Sequence, residues 1–486
     1  MSPRSLFRLR FAPALMLVAV AAISHAQVPP PPERPNILVI LVDDLGYGDL
    51  GSYDHPTIRS PNLDRLAEEG VRFTDFYSAA PVCSPARAAF LTGRIPVRTG
   101  VYDWIPPGSD MHLGADETTV AELLRDAGYQ TSMFGKWHLN GALDSDQPQP
   151  DDQGFDHWFA TAGFAVPSHL NPVNFVRNGE EVGPVEGYAC QIVTEEAIRW
   201  LREDRRSGSP FFAYVAYHEP HEVIASPPKL VASYPATQNG NEALYFANVT
   251  NLDLAVGRLL AALDEMNLIG DTFVLFTSDN GPEMLERHPQ AQRSYGSAGG
   301  LRGKKLQLWE GGIRVPGIVR WPGRIPSGTV SSVPVSGVDL LPTLCAVAGV
   351  PVPPELELDG IDAAPAFAGS ELDRRVPLFW YHYKAWGGPR AVLREGAWKL
   401  IGFWDGSKRL RSDSSTMRPG DLELIRTTEL VRFMLYDLGA DPGERNDVAA
   451  SNPAVFEAMR TEMVRLLAEV QADARRGWRE SWLRRW

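Results

Sequence analysis

Cysteine is scarce: the chain has three, Cys83, Cys190 and Cys345, in 486 residues. A small secreted scaffold stapled by disulfides needs more, so that class is excluded. Pairing of Cys190 with Cys345 stays open beside the reading in which both are small buried apolar groups. Either way Cys83 is an odd cysteine that needs a use. Positive charge is also short: 47 Lys and Arg stand against 60 Asp and Glu, a formal net charge of −13. Such a chain is a poor general partner for nucleic acid or an anionic membrane. An anionic substrate requires a local cluster of cations or a bound metal to oppose the global field. Long apolar runs are missing too. Phe11 to Ile23 is apolar but short for a bilayer. It follows Arg4, Arg8 and Arg10 and precedes Ser24-His25-Ala26. That pattern predicts a signal peptide over residues 1–26, cleaved after Ala26, and an exported protein with no stable membrane insertion. Residues 27–34, with Pro29 to Pro32, form an extended spacer. There is no repeat.

What is present is alternation of strands and helices. Asn36 to Val42 (NILVILV) and Phe211 to Tyr217 (FFAYVAY) are continuous apolar runs, the pattern of parallel strands buried on both faces. Tyr129 to Phe134, Thr272 to Thr277 and Val315 to Trp321 read as further strands. Helices are expected at Pro61 to Gly70, Thr118 to Ala127, Thr194 to Arg202, Asn248 to Met266 and Val338 to Val347. The order predicts an α/β domain with a mostly parallel central sheet over residues 35–372. Beyond it, Val376 to Tyr383, Ala391 to Ile401 with a Glu395-Gly396 turn, and Met434 to Leu438 read as antiparallel strands. Asn452 to Ala474 reads as a closing helix and Ser407 to Leu422 as a loop. Residues 373–486 are therefore expected to form a smaller α+β subdomain.

Two of the buried strands end in polar pairs, Asp43-Asp44 and Asp279-Asn280. Open α/β sheets bind ligands at the carboxyl ends of their strands. Adjacent carboxylates there need something positive between them. A hard cation with oxygen ligands, Ca²⁺ or Mg²⁺, satisfies the set. The plain alternative is that each pair caps the next helix. Asp49 is a possible third carboxylate.

Cys83-Ser84-Pro85-Ala86-Arg87 runs into Leu91-Thr92-Gly93-Arg94. Pro85 suits a first helical turn, and no histidine lies nearby to serve as base. This C-x-P-x-R segment resembles the signature of the type I, formylglycine-dependent sulfatases, within the alkaline phosphatase superfamily. Further segments resemble that family in the same order. They are the opening strand through Asp49, Gly135-Lys136-Trp137-His138-Leu139, His218-Glu219-Pro220-His221, Thr277 to Gly281, Leu301 to Lys305 with Glu310 to Pro316, and Leu435 to Leu438 with Asp441-Pro442 and Glu444. Ala86 departs from the serine that many members carry. The Gly-Leu-Arg-Gly and Trp-Glu-Gly-Gly segments are similar to the arylsulfatase A and N-acetylgalactosamine-6-sulfatase side of the family.

The resemblance implies an alkaline phosphatase-like fold and a set of roles. A maturation enzyme oxidises Cys83 to formylglycine. Asp43, Asp44, Asp279 and Asn280, with the modified Cys83, hold Ca²⁺. The hydrated aldehyde attacks sulfur, and loss of its second hydroxyl proton then expels sulfate. Arg87 steadies that hydrate, Lys136 and Lys305 bind sulfate oxygens, and His138 takes the proton. His221 serves the leaving oxygen together with Lys305, for which Lys304 is the fallback. His218, Ser168 and His169 lie near matched positions without matching them. The implied substrate is a sulfated carbohydrate or an aryl sulfate. The rivals are a formylglycine-dependent phosphonate monoesterase or phosphodiesterase, and a non-catalytic protein that binds sulfated glycans. Trp380, Tyr381, Trp386 and Trp404 are available to stack on sugars, or simply to fill a core.

Overall fold

The computed structural model describes residues 34–388, 390–405, 417 and 419–474. The expected signal peptide, the spacer up to residue 33 and most of the polar stretch from Ser407 lie outside them. The end of that stretch is helical rather than loop, within Pro419–Thr427.

Seven strands carry the main sheet: β1 (Asn36–Val42), β2 (Val71–Phe73), β3 (Gln130–Lys136), β4 (His157–Thr161), β5 (Phe211–Ala216), β6 (Thr272–Ser278) and β7 (Gly317–Arg320). Across the sheet the order is Thr329–Ser331, β2, β7, β6, β1, β5, β3, β4, Val176–Arg177, Glu180–Glu181. β6, β1, β5, β3 and β4 are parallel neighbours. β7 joins β6 antiparallel, which makes the sheet mixed at that side.

The apolar runs are explained by two cores. Ile37, Val39 and Leu41 of β1 point into one, with Ala88, Phe90 and Leu91 of the helix Cys83–Thr92. Leu38, Ile40 and Val42 point into the other, with Val249, Leu252, Val256 and Leu259 of the helix Gly240–Glu265. Both faces of the sheet are covered, so no polar alternation survives. Cys190 and Cys345 fall in different cores and are free thiols, so they do not pair.

Two helices are longer at their starts than the sequence pattern indicates. The helix expected from Asn248 begins at Gly240, because the Asn239 side chain accepts from the amides of Asn241 and Glu242. The helix expected from Thr194 begins at Ala189 and runs into a wide π turn at Trp200–Asp204. Of the two threonines that open the helix expected from Thr118, Thr119 is the cap, in a reciprocal capping box with Glu122.

A second sheet follows: β8 (Leu378–His382), β9 (Arg390–Glu395), β10 (Trp398–Phe403) and β11 (Arg432–Asp437), antiparallel in that order. The β9–β10 turn at Gly396 has φ 55°, a left-handed value that glycine adopts freely. One face of this sheet joins the first core through Tyr381, Leu393 and Leu400, with Met463 and Leu466 of the helix Pro453–Asp473. The other face packs Trp380, Val392, Ile401 and Tyr436 on Tyr77, Leu308, Trp309 and Ile313.

A buried ionic network runs along that second contact. Lys399 lies 2.8 Å from both Glu310 and Glu444, and Tyr77 donates to Glu310 at 2.6 Å. Arg314 and Arg394 share Asp75 at 3.0 and 2.6 Å. Lys399 is 1% exposed and its two partners are fully buried, so removing the ammonium leaves Glu444 without its counter-charge and Glu310 with Arg314 at 3.3 Å. Lys399→Met is expected to lose about 3–5 kcal/mol in urea unfolding. A loss below about 1 kcal/mol, the range of exposed pairs, would sink this account of the network.

Candidate active site

The order β6, β1, β5, β3 brings four strand ends side by side. They deliver Asp279-Asn280, Asp43-Asp44, the segment His218 to His221, and Lys136 to His138. Gly135, just before Lys136, has φ 100°, and a Cβ there would lie 1.9 Å from the Ala216 carbonyl oxygen. Only glycine lets β3 approach β5 this closely. Asp44 and His138 also hold left-handed backbones, with φ of 65° and 59°. Such conformations in non-glycine residues cluster where side-chain placement matters more than backbone comfort.

The floor pairs three acids with three cations. Lys136 donates to Asp43 at 2.5 Å, and Lys305 to Asp44 at 2.7 Å. Arg87 grips Asp279 through Nε and Nη2 at 3.0 and 2.8 Å, and its Nη1 donates to the Lys136 carbonyl at 2.7 Å. All six side chains are at most 2% exposed. Burial works against ionising Asp43, but Lys136, helped by His221, Arg87 and Lys305, outweighs it and holds the carboxyl well below its usual range. Asp279 goes the other way. Burial and then the neighbouring Asp43 charge push it to about 7, against Arg87. The pair repels, and one member carries the penalty.

The acid cluster fits a hard cation. Asp43 Oδ1 and Asn280 Oδ1 are buried acceptors with no hydrogen-bond partner among the described residues. Asn280 donates to Asp44 at 2.7 Å, and Asp279 Oδ1 accepts from the Asp44 amide at 3.2 Å, which locks the set together. Asp43, Asp44 and His221 offer ligand atoms within 4.8 Å of one another, and the oxygens of the acids and of Asn280 are donors that suit a hard cation such as Ca²⁺ or Mg²⁺. Gly281 closes the floor: a Cβ on it would meet the Gly311 carbonyl oxygen at 2.0 Å.

Cys83 opens the helix Cys83–Thr92, with Val82 at the N-cap and Pro85 in the first turn. It is 2% exposed. Burial pushes its thiol up to about 11, and Lys136 and Lys305 only partly oppose this. An ordinary cysteine nucleophile needs the reverse shift and a histidine base. Cys83 has the opposite shift and makes no hydrogen bond to a histidine among the described residues, although His138 and His221 line the same cavity.

A cavity of about 340 Å³ opens above this floor. Cys83, Lys136, His138, His221 and Lys305 all line it, five of the positions named from the sequence. Arg87 is not on the cavity wall; it holds Asp279 and the end of β3 from behind. The Ile105 carbonyl can only accept, so His138 Nε2 carries the hydrogen, 3.0 Å away, and Nδ1 keeps its lone pair without a partner among the described residues. Burial, then Lys136 and Arg87, hold His138 well below the ordinary histidine range, so it is neutral at pH 7. His221 Nδ1 donates to the Glu222 carbonyl at 2.5 Å, which turns Nε2 toward Asp44 at 3.8 Å.

The remaining lining was not anticipated: Val82, Trp104, Phe164, Glu222, Val223, Arg287, His288 and Gln290. These lie on loops or, for Gln290, in the short 3₁₀ turn Pro289–Arg293, outside any periodic pattern. Lys304 turns away to the Gly296 carbonyl at 2.9 Å. Asp49 is no part of the floor: it accepts from Gly46, Ser297 and Tyr245 and ties loops. His218 contacts Thr161 at 2.8 Å, His169 contacts Asn248 at 3.1 Å, and Ser168 is half-buried; none of them lines the cavity. Of the tryptophans raised as sugar platforms, Trp380 is buried and Trp386 is 42% exposed. Glu222, Glu283 and His288 make a second acidic cluster, but Arg287, 2.6 Å from Glu283, and His288, 2.8 Å from Glu222, already neutralise it. A larger cleft of about 390 Å³ lined by Asp64, Glu68 and Arg72 gathers no comparable chemistry.

A mostly parallel sheet that gathers acids, lysines and a helix-borne cysteine at its strand ends has the groups to hold and hydrolyse an anionic ester. The Sulfatase family model matches residues 35–350, so the chain belongs to the sulfatase family and is a sulfuric ester hydrolase. A second model, N-sulphoglucosamine sulphohydrolase C-terminal, matches residues 300–411. The chain is 35% identical over 494 residues to arylsulfatase A of Homo sapiens, spanning 95% of this chain and 92% of that protein. It is 34% identical to N-acetylgalactosamine-6-sulfatase of Canis lupus familiaris, over 89% of this chain and 84% of that one. Among solved structures, Ps i-CgsB in complex with k-i-k-neocarrahexaose superposes with a TM-score of 0.77 at 29% identity, covering 91% and 94% of the two chains.

The thiol chemistry is directly measurable in protein made without maturation. A Cys83 thiol held near 11 is expected to alkylate at pH 8 roughly 100-fold more slowly than a free cysteine, whose pKa is about 8.5. The rate should climb with pH toward 11. A fast reaction at pH 7, timed by peptide mass, would show a thiolate and contradict this geometry.

Proposed function

We propose that the chain is an exported, calcium-dependent sulfatase that hydrolyses sulfate monoesters, of a sulfated carbohydrate and also of aryl sulfates, through formylglycine made from Cys83. The observation that carries this reading is the state of Cys83. It sits in the first turn of a helix, on a floor of acids and lysines, yet burial keeps its thiol protonated and it makes no hydrogen bond to a histidine among the described residues. Such a site has a use for the side chain only after its chemistry is changed. The formylglycine aldehyde supplies, as its hydrate, a hydroxyl nucleophile with a second hydroxyl available for release. Cys83 is 2% exposed, so the maturation enzyme has to act on the chain before folding is complete.

Asp43, Asp44, Asp279 and Asn280 would hold Ca²⁺, which lowers the pKa of an oxygen bound to it and orients that oxygen. Arg87 keeps Asp279 in place from the core side. Lys136 and Lys305 offer ammonium groups to the oxygens of a sulfate in the cavity, where low dielectric strengthens each contact. His221 Nε2, set by the Nδ1 bond to Glu222, delivers a proton toward the leaving alcohol together with Lys305. His138 Nδ1, neutral and without a partner among the described residues, takes the proton whose loss expels sulfate.

Two measurements test this. In natively produced protein, the tryptic peptide Phe73 to Arg87 should carry an aldehyde in place of the Cys83 thiol, and the protein should release sulfate from 4-nitrophenyl sulfate. An intact thiol in active protein refutes the mechanism, and turnover of phosphonate esters alone points to the rival esterase. The role of His138 has its own signature. His138→Ala should release about one nitrophenol per site in a burst and then slow at least 100-fold, within the range of general base catalysis. Loss of the burst as well would place His138 in the first step instead.

A further inference from the structure

The ring of His138 is aimed by a bond that is itself held in place. Nε2 donates to the Ile105 carbonyl at 3.0 Å, and Nδ1 is left as the basic atom. The amide of the same Ile105 donates to Ser84 Oγ at 3.1 Å. Ser84 is fully buried and directly follows Cys83 in the first turn of the helix Cys83–Thr92. A single residue of the loop between them, Ile105, thus joins the neighbour of Cys83 to His138. Resting on the sulfatase reading above, in which His138 takes the proton that expels sulfate, we propose that Ser84 is a positioning residue: its hydroxyl fixes Ile105, and through it the tautomer and the aim of His138 relative to Cys83.

His138 needs outside support for its geometry. Its backbone is left-handed, with φ 59°, and its Nδ1 has no partner among the described residues to hold the ring from the cavity side. The Ile105 loop, by contrast, is anchored on both sides of the bond in question. Tyr102 donates to the Ala474 carbonyl at 3.0 Å. Asp103 accepts from the Trp104 amide at 2.9 Å and pairs with Lys384 at 2.9 Å. The Ile105 side chain is 2% exposed and belongs to the first core. Removing the Ser84 hydroxyl leaves all of these contacts standing. It takes away only the acceptor of a buried amide, which is costly to leave unpaired, so Ile105 turns to recover a partner and its carbonyl turns with it. A shift of about 1 Å in a catalytic group costs on the order of 100-fold in rate. The first step, attack on sulfur, does not use Nδ1 of His138, so the damage falls on the second step, the expulsion of sulfate. That asymmetry separates a positioning role from a general loosening of the site.

The test uses full-length wild type, Ser84→Ala, Ser84→Val and Ser84→Thr with 4-nitrophenyl sulfate. Rates are taken per matured site, counted as formylglycine in the tryptic peptide Phe73 to Arg87. The Val and Thr side chains have the same shape, so their comparison isolates the hydroxyl from any crowding by the added methyl group. In a two-step reaction kcat/KM reports the steps up to the covalent intermediate, whereas kcat also feels its breakdown. In Ser84→Ala and Ser84→Val, kcat and KM are expected to fall together by about tenfold or more, with kcat/KM within about threefold of wild type and a burst of about one nitrophenol per site. Ser84→Thr is expected to restore kcat to within about threefold of wild type. Unchanged kcat in Ser84→Ala overturns the proposal. So does a fall of kcat/KM in step with kcat, or equal loss in the Val and Thr variants, since either marks general damage. Loss of folded protein in both Ala and Val variants makes Ser84 structural and overturns it as well. Wild type that carries formylglycine but releases sulfate from no ester overturns the sulfatase reading itself, whatever the variants do.

Discussion

Three carboxylates converge at the ends of two neighbouring parallel strands, and almost every local feature of the site answers their repulsion. Asp43, Asp44 and Asp279 are at most 2% exposed. Burying each charge without a partner costs several kcal/mol, so the fold must bring cations to them. It does so from three separate places: the Cys83 helix gives Arg87, the end of β3 gives Lys136, and the loop before Glu310 gives Lys305. The glycines follow from the same demand. Gly135 lets β3 close on β5 so that Lys136 reaches Asp43, and Gly281 lets the Glu310 to Gly312 segment close on the end of β6.

The frame was legible in the sequence because its pattern is physical. A strand covered on both faces must be apolar throughout, and NILVILV, FFAYVAY and TFVLFT say so. The Glu395-Gly396 turn and the Thr119 cap were legible for equally local reasons. The start of the helix at Gly240 was not, because Asn239-Gly240-Asn241 reads as a turn until the Asn239 side chain is seen capping it. The neighbour relations of the strands were not legible either. Asp43 and Asp279 meet only because β1 and β6 pair, which no local pattern states.

The site divides along the same line. Cys83, the acid pairs and the lysine and histidine positions came forward as ordered motifs through a family resemblance. Trp104, Phe164 and the Arg287 to Gln290 loop did not, since isolated loop residues carry neither period nor spacing. The ion pairs that bind the floor join residues 93, 192 and 261 positions apart. Such long-range pairing is also why the surroundings of Lys304 and Lys305 could not be told apart locally. The two lysines are adjacent in sequence, yet one reaches Asp44 and the other a loop carbonyl.

A last consequence concerns how an acidic chain, with a net charge of −13, makes a place for an anion. The floor of the cavity is balanced, three carboxylates to three cations, and two of those cations face the cavity. Lys136 and Lys305 are 2.5 and 2.7 Å from carboxylate oxygens, so a sulfate must compete with Asp43 and Asp44 for them. A divalent cation held by Asp43, Asp44 and Asn280 would offset those carboxylates and release the lysines to an anion. Cation and anion binding would then be coupled through the two lysines, each favouring the other by the same factor. On the proposed reading, the positive field for a sulfate ester comes from a local exchange of partners, and the overall charge of the chain need not change.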